Sequence, residues 1–143
     1  DESSGTTGYS TGTATVATTT AIDIGNISFG TIARDANSAE ITAAITNTAN
    51  NNATDITVSG TALTCSTRGT ILANRIKMDT TASVAYGSKT YTMSGTGQTD
   101  TAFNLTKGAS STKNTYWQIL ASPATSSEAL AGTCTGSLTV VGA

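Results

Sequence analysis

Residues 13–24 read Thr-Ala-Thr-Val-Ala-Thr-Thr-Thr-Ala-Ile-Asp-Ile. The even positions of this stretch carry its apolar or β-branched residues, and most odd positions carry smaller or more polar ones. The even-numbered residues are Ala14, Val16, Thr18, Thr20, Ile22 and Ile24. A period of two is typical of a β-strand that buries one face. The strand ends an uncharged arm, because residues 3–22 hold no charged side chain.

This arm has none of the usual protection of a terminal strand. Soluble proteins commonly place lysine, proline or a bulge at an open strand edge, because such an edge recruits other chains. The first 33 residues contain no lysine or arginine, and the sole proline of the chain is Pro123. We therefore expect the strand either to fold into its own sheet or to pair with a neighbouring subunit.

The overall composition favours a single strand-rich domain with a thin core. The chain has 143 residues, which is typical of one domain. Threonine and serine number 32 and 16, whereas leucine, isoleucine, valine and phenylalanine together number 23. Threonine is β-branched and suits a pleated surface. Low apolar content alone favours disorder, but disorder also calls for a high net charge, and the net charge here is −2.

Several classes of function are disfavoured by the same composition. Seven scattered basic residues make no stripe for nucleic acid. No apolar run approaches the roughly 18–20 residues of a membrane span, and the start Asp1-Glu2-Ser3-Ser4 is typical of a processed, mature terminus. Because histidine is absent, Ser-His-Asp and Cys-His arrangements are excluded. With no glycine-rich phosphate loop either, we expect no enzyme activity and no cofactor.

The two cysteines, Cys65 and Cys134, lack CxxC spacing and any histidine partner, so a zinc site is disfavoured. They are candidates for a disulfide, which would contribute about 4 kcal/mol by closing a long loop. A disulfide implies an oxidising compartment, most simply the cell exterior. The alternative is a pair of buried free thiols.

Other candidate sites are weaker. Three N-glycosylation sequons begin at Asn26, Asn52 and Asn104; Asn52 lies in a polar loop and is the best acceptor. Four aspartates are possible loop ligands for calcium, without EF-hand spacing. They are Asp35, Asp55, Asp79 and Asp100. Four aromatic residues either form a sugar-stacking platform or, as we favour, fill the core and cover the sheets. They are Tyr86, Tyr91, Tyr116 and Trp117.

Short strand candidates separated by turn signals predict a sandwich or a barrel. They lie at 27–32, 39–48, 54–60, 75–79, 83–86, 89–93, 102–106, 115–120 and 132–141. Gly87-Ser88 between two of these strands is a type II′ hairpin signal.

Three motifs resemble the immunoglobulin-like modules of bacterial and archaeal surface proteins. They are Phe29-Gly30-Thr31-Ile32, Ile45-Thr46-Asn47-Thr48 and Asp55-Ile56-Thr57-Val58-Ser59-Gly60. Those modules often have an FG-T-V strand, an N-T-G turn and an I-x-V-S-G strand. Here Ala49 replaces the glycine of the turn. The segments 116–119 and 132–140 resemble the last two strands of such a module, so the likeness spans about residues 26–141.

The resemblance implies an all-β, immunoglobulin-like sandwich at 25–143, preceded by a leader and strand at 1–24. That strand resembles the donor arm of extracellular filament subunits, such as archaeal threads, bundling pili and biofilm fibres of the TasA type. In those assemblies the arm of one subunit completes the sheet of the next. The expected partners are therefore identical subunits, and also cell surfaces or glycans. We expect the acceptor groove to be lined by Ile41, Ile45, Leu138 and Val140.

Two other hypotheses remain open at this stage. One is a monomeric secreted module that binds carbohydrate, with the first strand folded into its own sheet. The other is a viral capsid or tail protein with the same sandwich.

Overall fold

The computed structural model describes residues 22–48, 53–106 and 111–143. The strands within these residues are β1 (Ile22–Ile24), β2 (Ile41–Asn47), β3 (Ala53–Gly60), β4 (Leu63–Cys65), β5 (Thr70–Ile71), β6 (Ile76–Asp79), β7 (Tyr91–Thr92), β8 (Gln98–Thr106), β9 (Thr112–Ile119), β10 (Cys134–Thr135) and β11 (Leu138–Gly142). Two single 3₁₀ turns cover Ala73–Arg75 and Tyr86–Ser88. The expectation of an all-β chain is confirmed.

The strands form three antiparallel sheets. The largest sheet has the strand order β1-β2-β9-β6-β7. A second sheet has the order β11-β3-β8, and a third, smaller sheet has the order β10-β4-β5. Because β4 follows β3 and β11 follows β10 after short connections, the third sheet continues the β3–β11 pair towards one end of the molecule.

The first two sheets share one hydrophobic core. Its buried residues include Ile45, Ile76, Met78, Trp117 and Ile119 from the five-stranded sheet and Ile56, Val58, Phe103 and Leu105 from the β11-β3-β8 sheet. The Trp117 indole donates to the Thr115 hydroxyl at 2.7 Å, and that hydroxyl donates to the Ala43 carbonyl at 2.8 Å. The polar atoms at the centre of the core are thus satisfied, as burial requires.

Period-two patterns predicted the central strands correctly. The expected strand 39–48 is β2, with Ala43 and Ile45 buried, and the expected strand 54–60 is β3, with Ile56 and Val58 buried. The expected strands 75–79 and 115–120 correspond to β6 and β9. These strands bury one face against the core, which is the condition under which alternation appears in a sequence.

The predicted Gly87-Ser88 hairpin is wrong. Residues 83–86 form no strand, and Gly87 lies in a 3₁₀ turn without the positive φ that a type II′ turn needs. The loop between β6 and β7 is instead tied to Asp79, whose carboxylate accepts from the Thr81 amide and from the amide and hydroxyl of Thr90, each at 2.9 Å. Side-chain bonds within a long loop thus replace the tight turn.

The same loop carries a buried ion pair. The Lys89 ammonium, whose side chain is 0% exposed, donates to Glu40 Oε2 at 2.7 Å, and Glu40 Oε1 accepts from the Ser83 amide at 2.9 Å. Burial raises the pKa of Glu40, but the hydrogen bonds from Lys89 and Ser83 outweigh it, so that pKa lies below its ordinary value. The pair anchors the loop to the residue that precedes β2.

Other strand predictions need correction. The expected strand 27–32 packs against the core without pairing to another described strand. Ile27 and Phe29 are half-buried as its alternation implied, and Ile32, which breaks the alternation, is half-buried as well. The expected strand 132–141 is divided into β10 and β11 at Gly136-Ser137. Strands β4 and β5 were not predicted, because segments of three and two residues are too short for a periodic signal.

Candidate functional site

The end of the predicted donor segment pairs within its own chain. Ile22 and Ile24 of β1 lie opposite Asn47 and Ile45 of β2. This corrects the prediction that residues up to Ile24 are available to a neighbour. Strand β1 is the outer strand of its own five-stranded sheet, and both isoleucines pack against the core. The predicted donor residues Ala14, Val16, Thr18 and Thr20 lie outside the described residues.

A largely apolar groove of about 590 Å³ opens beyond β1. One wall is the extended segment 27–32, and the other is formed by residues 130–136 and Leu138. The floor contains Leu63, Ile71, Ile76, Ile119 and Ala121. Its volume falls within the range of about 300–1,000 Å³ that is common for ligand sites. We call this site the edge groove.

Among the described residues, both walls of the edge groove carry backbone that lacks a strand partner on at least one side. Strands β10 and β11 are outer strands of their sheets. Within the described part of the chain, the backbone of residues 25–32 makes no hydrogen bond to other backbone. Unpaired N–H and C=O groups on both sides of an apolar cleft are the features that a further strand satisfies.

Of the four residues predicted to line an acceptor groove, the structure places one in the edge groove and three outside it. Leu138 does line the edge groove. Ile45 is fully buried on β2, beside β1 in the same sheet, and Ile41 and Val140 are half-buried outside the groove, so these three assignments are corrected. Leu63, Ile71 and Leu130 also line the groove and were not predicted. Leu63 and Ile71 lie on strands too short for a periodic signal, and nothing in the sequence indicated Leu130.

A disulfide reinforces one wall of the groove. Cys65 of β4 and Cys134 of β10 are directly paired in register and are bonded to each other, so the predicted disulfide is present. Cys134 lines the groove, whereas Cys65 is buried behind it. The bond therefore holds β10 against β4 and limits the movement of the groove wall at Cys134.

The start of β1 and Leu138 of the edge groove lie near opposite ends of β3. Ile22 pairs with Asn47, whose side-chain amide donates to the Leu105 carbonyl at 3.1 Å, near the beginning of β3. Leu138 pairs with Gly60, the last residue of β3. An eight-residue strand spans roughly 25 Å at about 3.3 Å per residue. The chain before Ile22 thus joins the body about one strand length from Leu138, whereas the near end of the groove, at Ile27, follows Ile22 closely in the chain.

The sequon residues occupy different surroundings. Asn26 is exposed in the segment after β1, and Asn104 is exposed on β8 with a φ of 46°. The backbone amide of Asn104 donates to Asp55 Oδ1 at 3.1 Å. Asn52 lies outside the described residues. Glycosylation of these asparagines stays a prediction.

The four aromatic residues do not form one platform. Trp117 is fully buried, and the Tyr86 hydroxyl donates to the Arg75 carbonyl at 2.9 Å. Tyr91 and Tyr116 instead line a second, more polar cleft between β7, β8 and β9. The interpretation that these aromatic residues fill the core and cover the sheets therefore fits Trp117 and Tyr86. The other two tyrosines share a surface.

The candidate calcium ligands are dispersed. Asp35 pairs with Arg34, and Asp55, Asp79 and Asp100 each accept backbone amides at separate places. Within residues 22–48, 53–106 and 111–143, no group of three or more acidic, cysteine or histidine side chains is arranged to hold a metal ion. The same residues include no helix of the length and apolarity needed to cross a membrane.

Comparisons with protein-family models, with curated proteins and with solved structures each returned no match to this chain.

Proposed function

We propose that this protein is a structural subunit of an extracellular filament, in which the arm before Ile22 fills the edge groove of the next copy. On this proposal the body is an immunoglobulin-like sandwich. The observation that carries it is the edge groove itself: a largely apolar cleft between two lengths of backbone that lack a strand partner on at least one side among the described residues. The sequence at 13–21 is suited to bind in such a cleft as an added strand, because it is uncharged and alternates with a period of two.

The difference between arm and groove supports the growth of a filament over the closure of a symmetric dimer. Because the arm and the groove are two different surfaces, an arm that reaches a neighbour's groove makes a head-to-tail contact. Contacts between two different surfaces form open filaments unless the rotation between subunits closes a ring. The disulfide is compatible with the oxidising exterior in which surface filaments function.

Complementary charge substitutions test the proposal. Val16→Asp places a charge in the arm and leaves the groove intact, whereas Leu138→Asp places a charge in the groove and leaves the arm intact. We expect the wild-type protein to form fibres in electron micrographs, and each variant alone to remain monomeric in size-exclusion chromatography. A mixture of the two variants should give 1:1 dimers, because one intact groove can receive one intact arm.

Val141→Asp is the matched control. Val141 lies on β11 with Leu138 but is 48% exposed, so the same charge there should leave fibre formation unchanged. The contrary result has two parts: the wild-type protein stays monomeric, and both Val16→Asp and Leu138→Asp lower the free energy of unfolding. It would show that the arm fills the groove of its own chain. That result would support the monomeric module and reject the filament.

A further inference from the structure

A second cleft lies on the side of the molecule where β7, β8 and β9 approach one another. Its volume is about 530 Å³, and its lining is mostly polar. The lining residues are Thr80, Thr90, Tyr91, Asp100, Ala102, Phe103, Lys113, Asn114 and Tyr116. We call it the tyrosine cleft. None of these residues lines the edge groove.

The tyrosine cleft is produced by an irregularity in β8. Thr54 of β3 pairs with Leu105, but Ile56, two residues later, pairs with Asp100, so β8 has extra residues in the interval. Both Asp100 and Phe103 point inward and are buried, whereas residues 101 and 102 are exposed. Bulges of this kind often re-aim side chains beside functional sites.

Asp100 and Tyr91 form the polar centre of the cleft. Asp100 is 8% exposed, and its Oδ1 accepts from the Ala102 amide at 2.9 Å. Burial, the charge of Asp100 and a hydrogen bond to Asp100 together raise the pKa of Tyr91 to about 12. The Tyr91 hydroxyl donates to the Asp100 carboxylate, so the pair is a fixed polar centre whose remaining oxygen lone pairs accept from a ligand.

The two charges that line the cleft balance each other. The ammonium of the exposed Lys113 donates to the Phe103 carbonyl and lies 5.4 Å from the centroid of the Phe103 ring, so β8 positions it while it keeps its charge. The remaining lining consists of hydroxyl, amide and aromatic groups, with Thr80, Thr90 and Asn114 exposed. Asp100 and Lys113 together leave the lining without net charge, so neither an anionic nor a cationic ligand gains a net attraction there.

From this geometry we infer that the tyrosine cleft binds a neutral saccharide unit. The apolar face of a sugar ring packs on a phenol ring such as that of Tyr116, because the ring is a rigid apolar surface with a polar tip. Neighbouring sugar hydroxyls both donate and accept, which matches the Asp100 carboxylate, the Asn114 amide and the threonine hydroxyls. The inference does not rest on filament formation, since it uses a separate surface.

A printed array of neutral and acidic oligosaccharides, probed with the full-length chain, tests this inference. We expect binding among the neutral glycans. Saturation-transfer NMR with the bound glycan should then show contact through the sugar-ring protons. Tyr116→Ala and Asp100→Asn should each weaken binding by at least about tenfold, the scale of one lost buried contact.

Two further variants separate a binding role from a role in folding. Tyr91→Phe keeps the ring but removes the hydroxyl, and should weaken binding while the near-ultraviolet circular dichroism of buried Trp117 is unchanged. Tyr86→Ala removes a tyrosine outside the cleft and should bind normally. No binding to any neutral glycan, binding confined to acidic glycans, or equal loss with Tyr86→Ala would each overturn the inference.

Discussion

Cys134 lies directly opposite Cys65 in the β10–β4 pair, and a disulfide joins the two residues. One of them faces the edge groove and the other lies in the protein interior. The bond therefore connects the groove wall to the body, and it does so between residues 69 positions apart in the sequence.

Replacing both cysteines with serine should lower the free energy of unfolding by about 4 kcal/mol, because the unfolded chain regains the freedom that a long closed loop removes. Urea denaturation followed by the fluorescence of Trp117, which is the single tryptophan and is fully buried, measures this loss. A reducing agent should destabilise the wild type by a similar amount and leave the serine variant unaffected. Equal urea midpoints for the oxidised wild type and the serine variant would contradict the expectation.

The Lys89–Glu40 pair leads to a second prediction. Glu40→Gln leaves a fully buried ammonium without its counter-charge, which should cost about 3 kcal/mol. Lys89→Met leaves a carboxylate that is partly exposed and can be hydrated, so we expect a smaller loss. In a double-mutant cycle the combined variant should be more stable than Glu40→Gln alone, because no buried charge remains. Additive losses from the two substitutions would show that the pair is not coupled.

The sequence predicts the central strands and the disulfide better than it predicts the edge groove and the tyrosine cleft. Strands β2, β3 and β9 bury one face each, so that Ile45, Val58 and Trp117 mark the inward side in the sequence itself. The disulfide was predictable from two cysteines with no partner for any other chemistry. These features depend on residue type and local spacing, both of which a single sequence displays.

The edge groove depends on relationships that local spacing does not reveal. Residues 27–32 begin with strand-like alternation, yet no other described strand pairs with them. A missing partner is a property of the three-dimensional arrangement, which a local pattern does not display. The tyrosine cleft likewise depends on the irregular pairing of β8, which becomes visible only when β8 is matched with β3. The loop after β6 was mispredicted because Asp79 organises it through Thr81 and Thr90.

Asp79 gives a prediction about pH. Burial raises the pKa of its carboxyl, but hydrogen bonds from Thr90 and Thr81 and the charge of Lys89 outweigh it, so the pKa lies below its ordinary value of 3.8. A lowered pKa in the folded state contributes stability above the ordinary value and loses it as the pH falls through the lowered one. The melting temperature should therefore decrease steeply below about pH 4, and Glu40 should add to this decrease.

Asp79→Asn should be less stable than the wild type at pH 7 and should lose less stability on acidification, because its amide does not titrate. Melting curves recorded between neutral pH and the acid limit compare the two proteins. Asp35→Asn is the matched control, since Asp35 is an exposed residue paired with its neighbour Arg34. A pH profile of Asp79→Asn that runs parallel to that of the wild type would exclude Asp79 as a source of the acid sensitivity.

The turn between β4 and β5 provides the last prediction. Gly69 has a φ of +94°, and a Cβ atom there would lie 2.4 Å from the Ala129 carbonyl oxygen and 2.8 Å from Leu130 Cδ2. Gly69→Ala should therefore lower the free energy of unfolding by more than about 1 kcal/mol, because both the backbone conformation and the space exclude a side chain. Gly95→Ala is the control: it has no atom within 4 Å of the added Cβ and no positive φ, so it should be nearly neutral. Equal urea midpoints for the two variants would show that the chain near Ala129 moves aside at little cost, and that this border of the edge groove is not rigid.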